Sequence, residues 1–163
     1  MTAQSPNVPF AVRTVSPMHC LLEKMLLLHE LYRIPEIPSR YIPGTSRHLY
    51  DIVHLYDKLQ GEGVKIDWNL LNKLRMHRSR WLGRATTVYR ESCHRKLCFI
   101  PPFRLLGPLM DDYRRLRKEV IFDPSWEFPV LIGRIQQINA SLNGIQWPYL
   151  ENDRHLALLT KTA

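Results

Sequence analysis

The chain is short of cysteine, of acid and of long apolar runs, and each shortage removes a class of protein. Its three cysteines, Cys20, Cys93 and Cys98, make an odd count with no paired Cys-x-x-Cys unit, which indicates neither a disulfide framework nor a structural zinc site. Cys93, His94 and Cys98 lie close in sequence, but no second ligand pair of usual spacing accompanies them. No apolar run approaches the roughly 20 residues that cross a bilayer, and residues 1–10 carry Pro6 and Pro9 without the charged and apolar regions of a signal peptide. The expected compartment is the reducing cytoplasm, with no membrane partner. Acid is scarce too: 15 Asp and Glu stand against 23 Lys and Arg, a formal charge of +8. That balance favours polyanionic partners such as nucleic acid or nucleotide phosphates, although a solvated basic surface would have the same composition.

What is present suits one folded domain. Of 163 residues, 45% are hydrophobic and 23% charged, the composition of a globular chain. A domain of this length buries roughly 70% of the surface its unfolded form exposes, so a core can form without a metal or disulfide staple. Residues 1–8 are expected to be disordered, 9–145 to form the folded region and 146–163 a loosely held tail.

Within the folded region the apolar spacing is mostly helical. Pro9 to Val15, with Phe10, Val12 and Val15, reads as a short strand closed by Ser16-Pro17. Ser16 can then cap a helix whose first position is Pro17. Leu21, Met25, Leu28 and Tyr32 share one face of that helix, widened by Leu22 and Leu31. A proline-rich loop, 34–44, leads to a helix from about Ser46 to Gln60 with Leu49, Ile52, Val53, Tyr56 and Leu59 on its apolar side. Gly61-Glu62-Gly63 stops it. Asp67 can cap a third helix through Leu70, Leu71, Leu74 and Trp81; beyond it, Gly83, Thr86 and Thr87 leave the pattern to Cys98 ambiguous. Pro101-Pro102 opens a fourth with Leu105, Leu109, Tyr113, Leu116 and Val120, stopped by Asp123-Pro124. A fifth runs from about Trp126 to Asn143 with Val130, Leu131, Ile135 and Ile138, interrupted early by Pro129 and ended by Asn143-Gly144. The predicted fold is mainly α, a helical bundle with one short N-terminal β-strand.

Two groups of residues carry chemistry. Lys24 falls between Leu21 and Leu28, a cation aimed at an apolar face, while Arg47, His48, Asp51, His54 and Lys58 share the polar side of the second helix. A lysine there beside an aspartate of a neighbouring helix can hold a nucleotide phosphate. The same residues fit an ordinary surface, with Lys24 snorkelling past its neighbours and Asp51 paired to Arg47 one turn back. The second group is the stretch from Lys73 to Lys96, in which Arg75, Arg78, Arg80, Arg84, Arg90 and Arg95 are interleaved with Trp81 and Tyr89, and Glu91 is the only acid. Arginines neutralise phosphates and aromatic rings stack on unpaired bases, a combination suited to RNA ends. The plainer arrangement keeps Trp81 in the core and the arginines in water.

Val12-Arg13-Thr14-Val15-Ser16-Pro17, then Glu23-Lys24-Met25-Leu26-Leu27-Leu28-His29, then Ser46-Arg47-His48-Leu49-Tyr50-Asp51-Ile52 resemble, in order and spacing, a signature of the AbiEii/AbiGii nucleotidyltransferase toxins of type IV toxin–antitoxin (abortive infection) systems. The likeness continues through Arg75-Met76-His77, Ile100-Pro101-Pro102 and Asp112-Tyr113-Arg114 to Glu119-Val120-Ile121-Phe122. It implies the helical C-terminal half of an enzyme that uses Mg²⁺ and NTP to transfer a nucleotide to the acceptor end of tRNA. By position, Lys24 matches a lysine expected to touch the triphosphate, Asp51 an aspartate supporting the active site, and Arg47 and His48 lie beside them. The RNA-facing residues would be Arg75, Arg78, Arg80, Trp81 and Arg84.

The departure from the family is large. A Gly-Ser turn and a following Asp-x-Asp on a strand precede this region in the family, and neither occurs in this sequence. Alternation along a strand puts residues i and i+2 on one side, where two carboxylates share Mg²⁺. Asp111 and Asp112 point roughly 100° apart on a helix and are expected to be surface charges. The chain alone is therefore expected to bind no cofactor and to be inactive. It would be a truncated enzyme, one part of a split enzyme completed by a separately encoded N-terminal half, or a non-catalytic module that binds RNA or a cognate antitoxin.

Overall fold

The computed structural model describes residues 14–33, 37–81, 96–122 and 124–145. Among them are five α-helices: α1 (Pro17–Tyr32), α2 (Ser46–Gly61), α3 (Trp68–Trp81), α4 (Leu106–Glu119) and α5 (Phe128–Asn143), with 3₁₀ turns at Ser39–Tyr41 and Phe103–Leu105. The fold is mainly α. No β-strand occurs among the described residues; of the strand expected over Pro9–Val15, residues 9–13 lie outside them, and Thr14 and Val15 have no regular structure. The expected N-terminal segment, 1–8, and the tail from residue 146 also lie outside. Among the described residues no helix is long and apolar enough to cross a membrane.

Local chemistry starts most of these helices. Ser16 caps α1 by accepting from the His19 amide at 3.2 Å, and Pro17 occupies the first turn, where its missing N–H costs nothing. Asp67 Oδ1 accepts from the Leu70 amide at 2.8 Å, capping α3. The first turn of α5 contains Pro129, so this proline opens the helix instead of interrupting it, and the helix begins at Phe128, not Trp126. Gly144 ends it at φ +66°, a left-handed conformation that a side chain disfavours.

The core forms around α1 and α2. Leu21, Leu22, Met25, Leu26 and Leu28 of α1 are buried completely, as are Leu49, Ile52 and Val53 of α2. Helix α2 packs against α1, α4 and α5, while α1 also contacts α3. Leu109 and Tyr113 of α4 and Leu131, Ile132, Ile135 and Ile138 of α5 close the same core. Val130, expected on that face, is exposed. The segment 96–102, which has no regular secondary structure, joins α5 and α1: Asn139 and Asn143 donate to the Leu97 carbonyl at 3.0 and 2.7 Å, and the Cys98 amide donates to Nδ1 of the buried His29 at 3.0 Å.

Two buried carboxylates join the helices. Asp112, expected at the surface, is 5% exposed because it sits at the N-terminus of α2, accepting from the Gly44 amide (2.8 Å), the Ser46 amide (3.0 Å) and the Ser46 hydroxyl (2.6 Å). Thr45 makes no side-chain cap there, so a residue of α4 satisfies the amides that a local cap would otherwise take. Asp111 is exposed as expected and pairs with Arg114. Glu30 is buried in α1 and receives the Arg78 guanidinium from α3 in a two-pronged contact.

Candidate functional site

Lys24 is placed by the packing of α1 on α2. Its neighbours at i−3 and i+4, Leu21 and Leu28, are fully buried, so its aliphatic stem runs along apolar surface and its ammonium emerges toward α2. There Nζ meets Asp51 Oδ2 at 2.7 Å, with the two side chains 22% and 29% exposed. Among the described residues the ion-pair partner of Asp51 is thus Lys24 of another helix, not Arg47 one turn back. A pair at this exposure contributes little to stability, because partial desolvation offsets most of its attraction. Its effect is positional: it fixes an ammonium, with three N–H donors, against Asp51.

Arg47 and His48 are on the same side of α2, four and three residues before Asp51, and therefore within one turn of it. Arg47 is exposed. His48 is half-buried, and its Nδ1 is shielded from solvent with no hydrogen-bond partner among the described residues. Burial, and then the positive charges of Lys24 and Arg47, push its pKa below the ordinary imidazole range, with Asp51 opposing. The imidazole is accordingly neutral near pH 7, and the region around it is electropositive.

The cleft beside Asp51 has a volume of about 230 Å³ and is lined by Arg47, Tyr50 and Asp51 from α2 and by Leu116, Val120, Ile121 and Phe122 at and beyond the end of α4. Spacing could have identified its α2 wall, since positions 47, 50 and 51 share a face. The apolar wall depends on where α4 ends. That helix stops at Glu119, leaving Val120 and Phe122 exposed beyond it.

The basic stretch divides in two. Lys73, His77 and Arg80 are exposed on α3 and, with Asn72 and Met76, line an open groove of about 410 Å³. Arg75 is half-buried. Arg78 faces the other way: its Nε and one terminal nitrogen donate to Glu30 at 2.5 and 2.9 Å, and the other terminal nitrogen to Glu23 at 2.6 Å. Its guanidinium is taken up by two carboxylates of α1, which removes it from the outward basic face. Trp81 ends α3; its side chain lies outside the described residues, as do Arg84, Tyr89, Arg90, Glu91 and Arg95 in full.

Among the described residues no three His, Cys, Asp or Glu side chains converge where they could hold a metal ion, and the Asp51 carboxylate already neutralises Lys24. What the site offers is a lysine, an arginine and a neutral histidine around one carboxylate, an arrangement able to bind and orient an anion. No family model, curated protein or solved structure matches the chain.

Proposed function

We propose that these residues form the helical half of a nucleotidyltransferase of the AbiEii/AbiGii toxin kind, in which Lys24 receives the triphosphate of an NTP and Asp51 holds that lysine in place. The observation that carries the reading is the 2.7 Å pair between Lys24 and Asp51, formed across two helices at the edge of a cleft that also contains Arg47. An ammonium on an apolar face with one carboxylate partner retains donors for an incoming phosphate. Arg47 adds a second cation from the same side. The role of this half is to bind and orient; a carboxylate pair for Mg²⁺ would come from outside these 163 residues. The exposed cations of α3, Lys73 and Arg80, supply a surface for the acceptor end of an RNA.

In contrast to the expectation from sequence that the chain alone binds no cofactor, the pairing of Lys24 with Asp51 supports binding of NTP by the chain itself without turnover. The experiment compares nucleotide and tRNA binding in one set of variants. Lys24→Ala is expected to abolish NTP binding and leave tRNA binding unchanged, whereas Lys73→Ala/Arg80→Ala weakens tRNA binding and reduces its salt dependence. Retention of full NTP affinity by Lys24→Ala would contradict the proposal. The groove on α3 favours a second reading, a non-catalytic RNA-binding or antitoxin-interaction module. Under that reading the α3 variants lose binding to RNA or antitoxin, and the wild-type chain binds no NTP at all.

A further inference from the structure

Where α4 ends, adjoining apolar side chains stand in water beside a concavity. Phe122 is 92% exposed and Val120 54%, and both line the cleft next to Asp51 together with Leu116 and Ile121; an exposed apolar patch of this kind marks an interaction surface. The cleft measures about 230 Å³, below the roughly 300–1,000 Å³ of sites that enclose a drug-sized ligand, so it suits one large side chain. On its other wall Tyr50 is held by His54, their ring centroids 4.1 Å apart, and His54 in turn by Trp126 at 4.9 Å. An inserted aromatic ring would therefore meet a ring already fixed in place. Both signs of charge flank the patch. Asp51 is paired with Lys24, whereas Arg47 on α2 and Glu119 at the end of α4 are exposed, and neither has an ion-pair partner among the described residues.

We infer that this face joins two copies of the chain in solution: Phe122 of each copy packs into the cleft of the other against Tyr50, flanked by reciprocal ion pairs between Arg47 and Glu119. A two-fold axis repeats every contact, residue i of one copy meeting j of the other and j meeting i. A patch that carries a projecting phenylalanine, a cleft of side-chain size and one unpaired charge of each sign is complementary to itself. Charge also separates a second copy from other partners. The chain carries +8 overall, so an acidic protein is drawn to its basic faces, such as that of α3, rather than to a patch where Glu119 and Asp51 accompany the cation. For two such cationic chains the patch of mixed sign is where close approach costs least. Lys24 does not line the cleft, and the Arg47 guanidinium, with five N–H donors, can hold a carboxylate of the second copy and still face an anion. Four apolar side chains and two ion pairs make a smaller contact than that of a permanent dimer, so the association is weak and reversible.

Equilibrium sedimentation of the full chain, without nucleotide and from low to high micromolar concentration, tests this. Wild type is expected to pass from monomer to dimer over that range, and Phe122→Asp to remain monomeric. Arg47→Glu and Glu119→Arg should each weaken the dimer roughly tenfold or more, because each sets like charges opposite one another. An equimolar mixture of those two variants should associate again as a heterodimer, since both of its cross-pairs then join opposite charges. Wild type that stays monomeric throughout would overturn the inference and leave the patch to a different partner. A dimer that survives Phe122→Asp would overturn it too, as would a mixture that fails to associate when the single variants do not. Phe122, Arg47 and Glu119 are exposed, so unchanged melting curves of the variants show that association is lost and not folding. Nucleotide affinity is a separate readout: failure of wild type to bind NTP would remove the reading of Lys24 and leave the dimer standing.

Discussion

Arg78 and Arg80 are two residues apart on one helix and face opposite environments. Arg78 is inserted between Glu23 and the nearly buried Glu30, and Arg80 lines an open groove. Arg78→Met would leave Glu30 desolvated without its partner and should cost about 3 kcal/mol, while Arg80→Met should cost less than about 0.5 kcal/mol; urea denaturation measures both. The pairing was not legible in sequence, because Glu30 and Arg78 are 48 positions apart and meet only through the packing of α1 on α3. Lys24 was more visible: a charge inside an apolar stripe has to emerge somewhere, and the nearest polar stripe contains Asp51. His48 gives a pH signature of its own. Burial, Lys24 and Arg47 favour its neutral form, so the unfolded chain takes up this proton more readily than the folded one. The stability this contributes is complete above the ordinary imidazole range and is lost as pH falls through it. Stability of the wild type should therefore decline between about pH 7.5 and 5.5 more steeply than that of His48→Gln; equal slopes would contradict the assignment.

At the scale of elements, legibility followed the distance over which each signal acts. Ser16 and Asp67 cap their own helices within three residues, so the starts of α1 and α3 could be read from adjacent positions. The cap of α2 comes from Asp112, 66 residues away, and neither the composition of α4 nor its adjacent acids indicated that one of them turns inward. Asp112→Ala should destabilise the fold by about 2 kcal/mol, the upper range for loss of an N-cap, because it leaves the amide and hydroxyl of the buried Ser46 without their acceptor. Asp112→Asn, which keeps an acceptor, should cost less. A thermal melt that distinguishes neither variant from wild type would mean that water replaces the carboxylate there. Pro129 illustrates a rule applied at the wrong position: proline breaks a helix in its interior but fits its first turn, and α5 starts one residue before it.

For the whole molecule, α2 is the element that ties structure to the proposed site. Its apolar face contacts α1, α4 and α5, Arg134 of α5 pairs with its Asp57, and its polar face carries Arg47, His48, Tyr50 and Asp51 toward Lys24 and the end of α4. Packing on three sides makes α2 a rigid platform for these side chains, which suits a site that must orient a ligand. Excess positive charge was visible in composition, but its division was not: part is internal in Arg78, part lies on α3, and part surrounds the cleft. The central claim is that a nucleotide binds at the α1–α2 edge. Titration of the isotope-labelled chain with an NTP, followed by amide chemical shifts, tests it most directly. The account predicts perturbations gathered at Lys24, Arg47, His48, Tyr50 and Asp51, with α3 unaffected; shifts confined to α3, or none at saturating nucleotide, would contradict it.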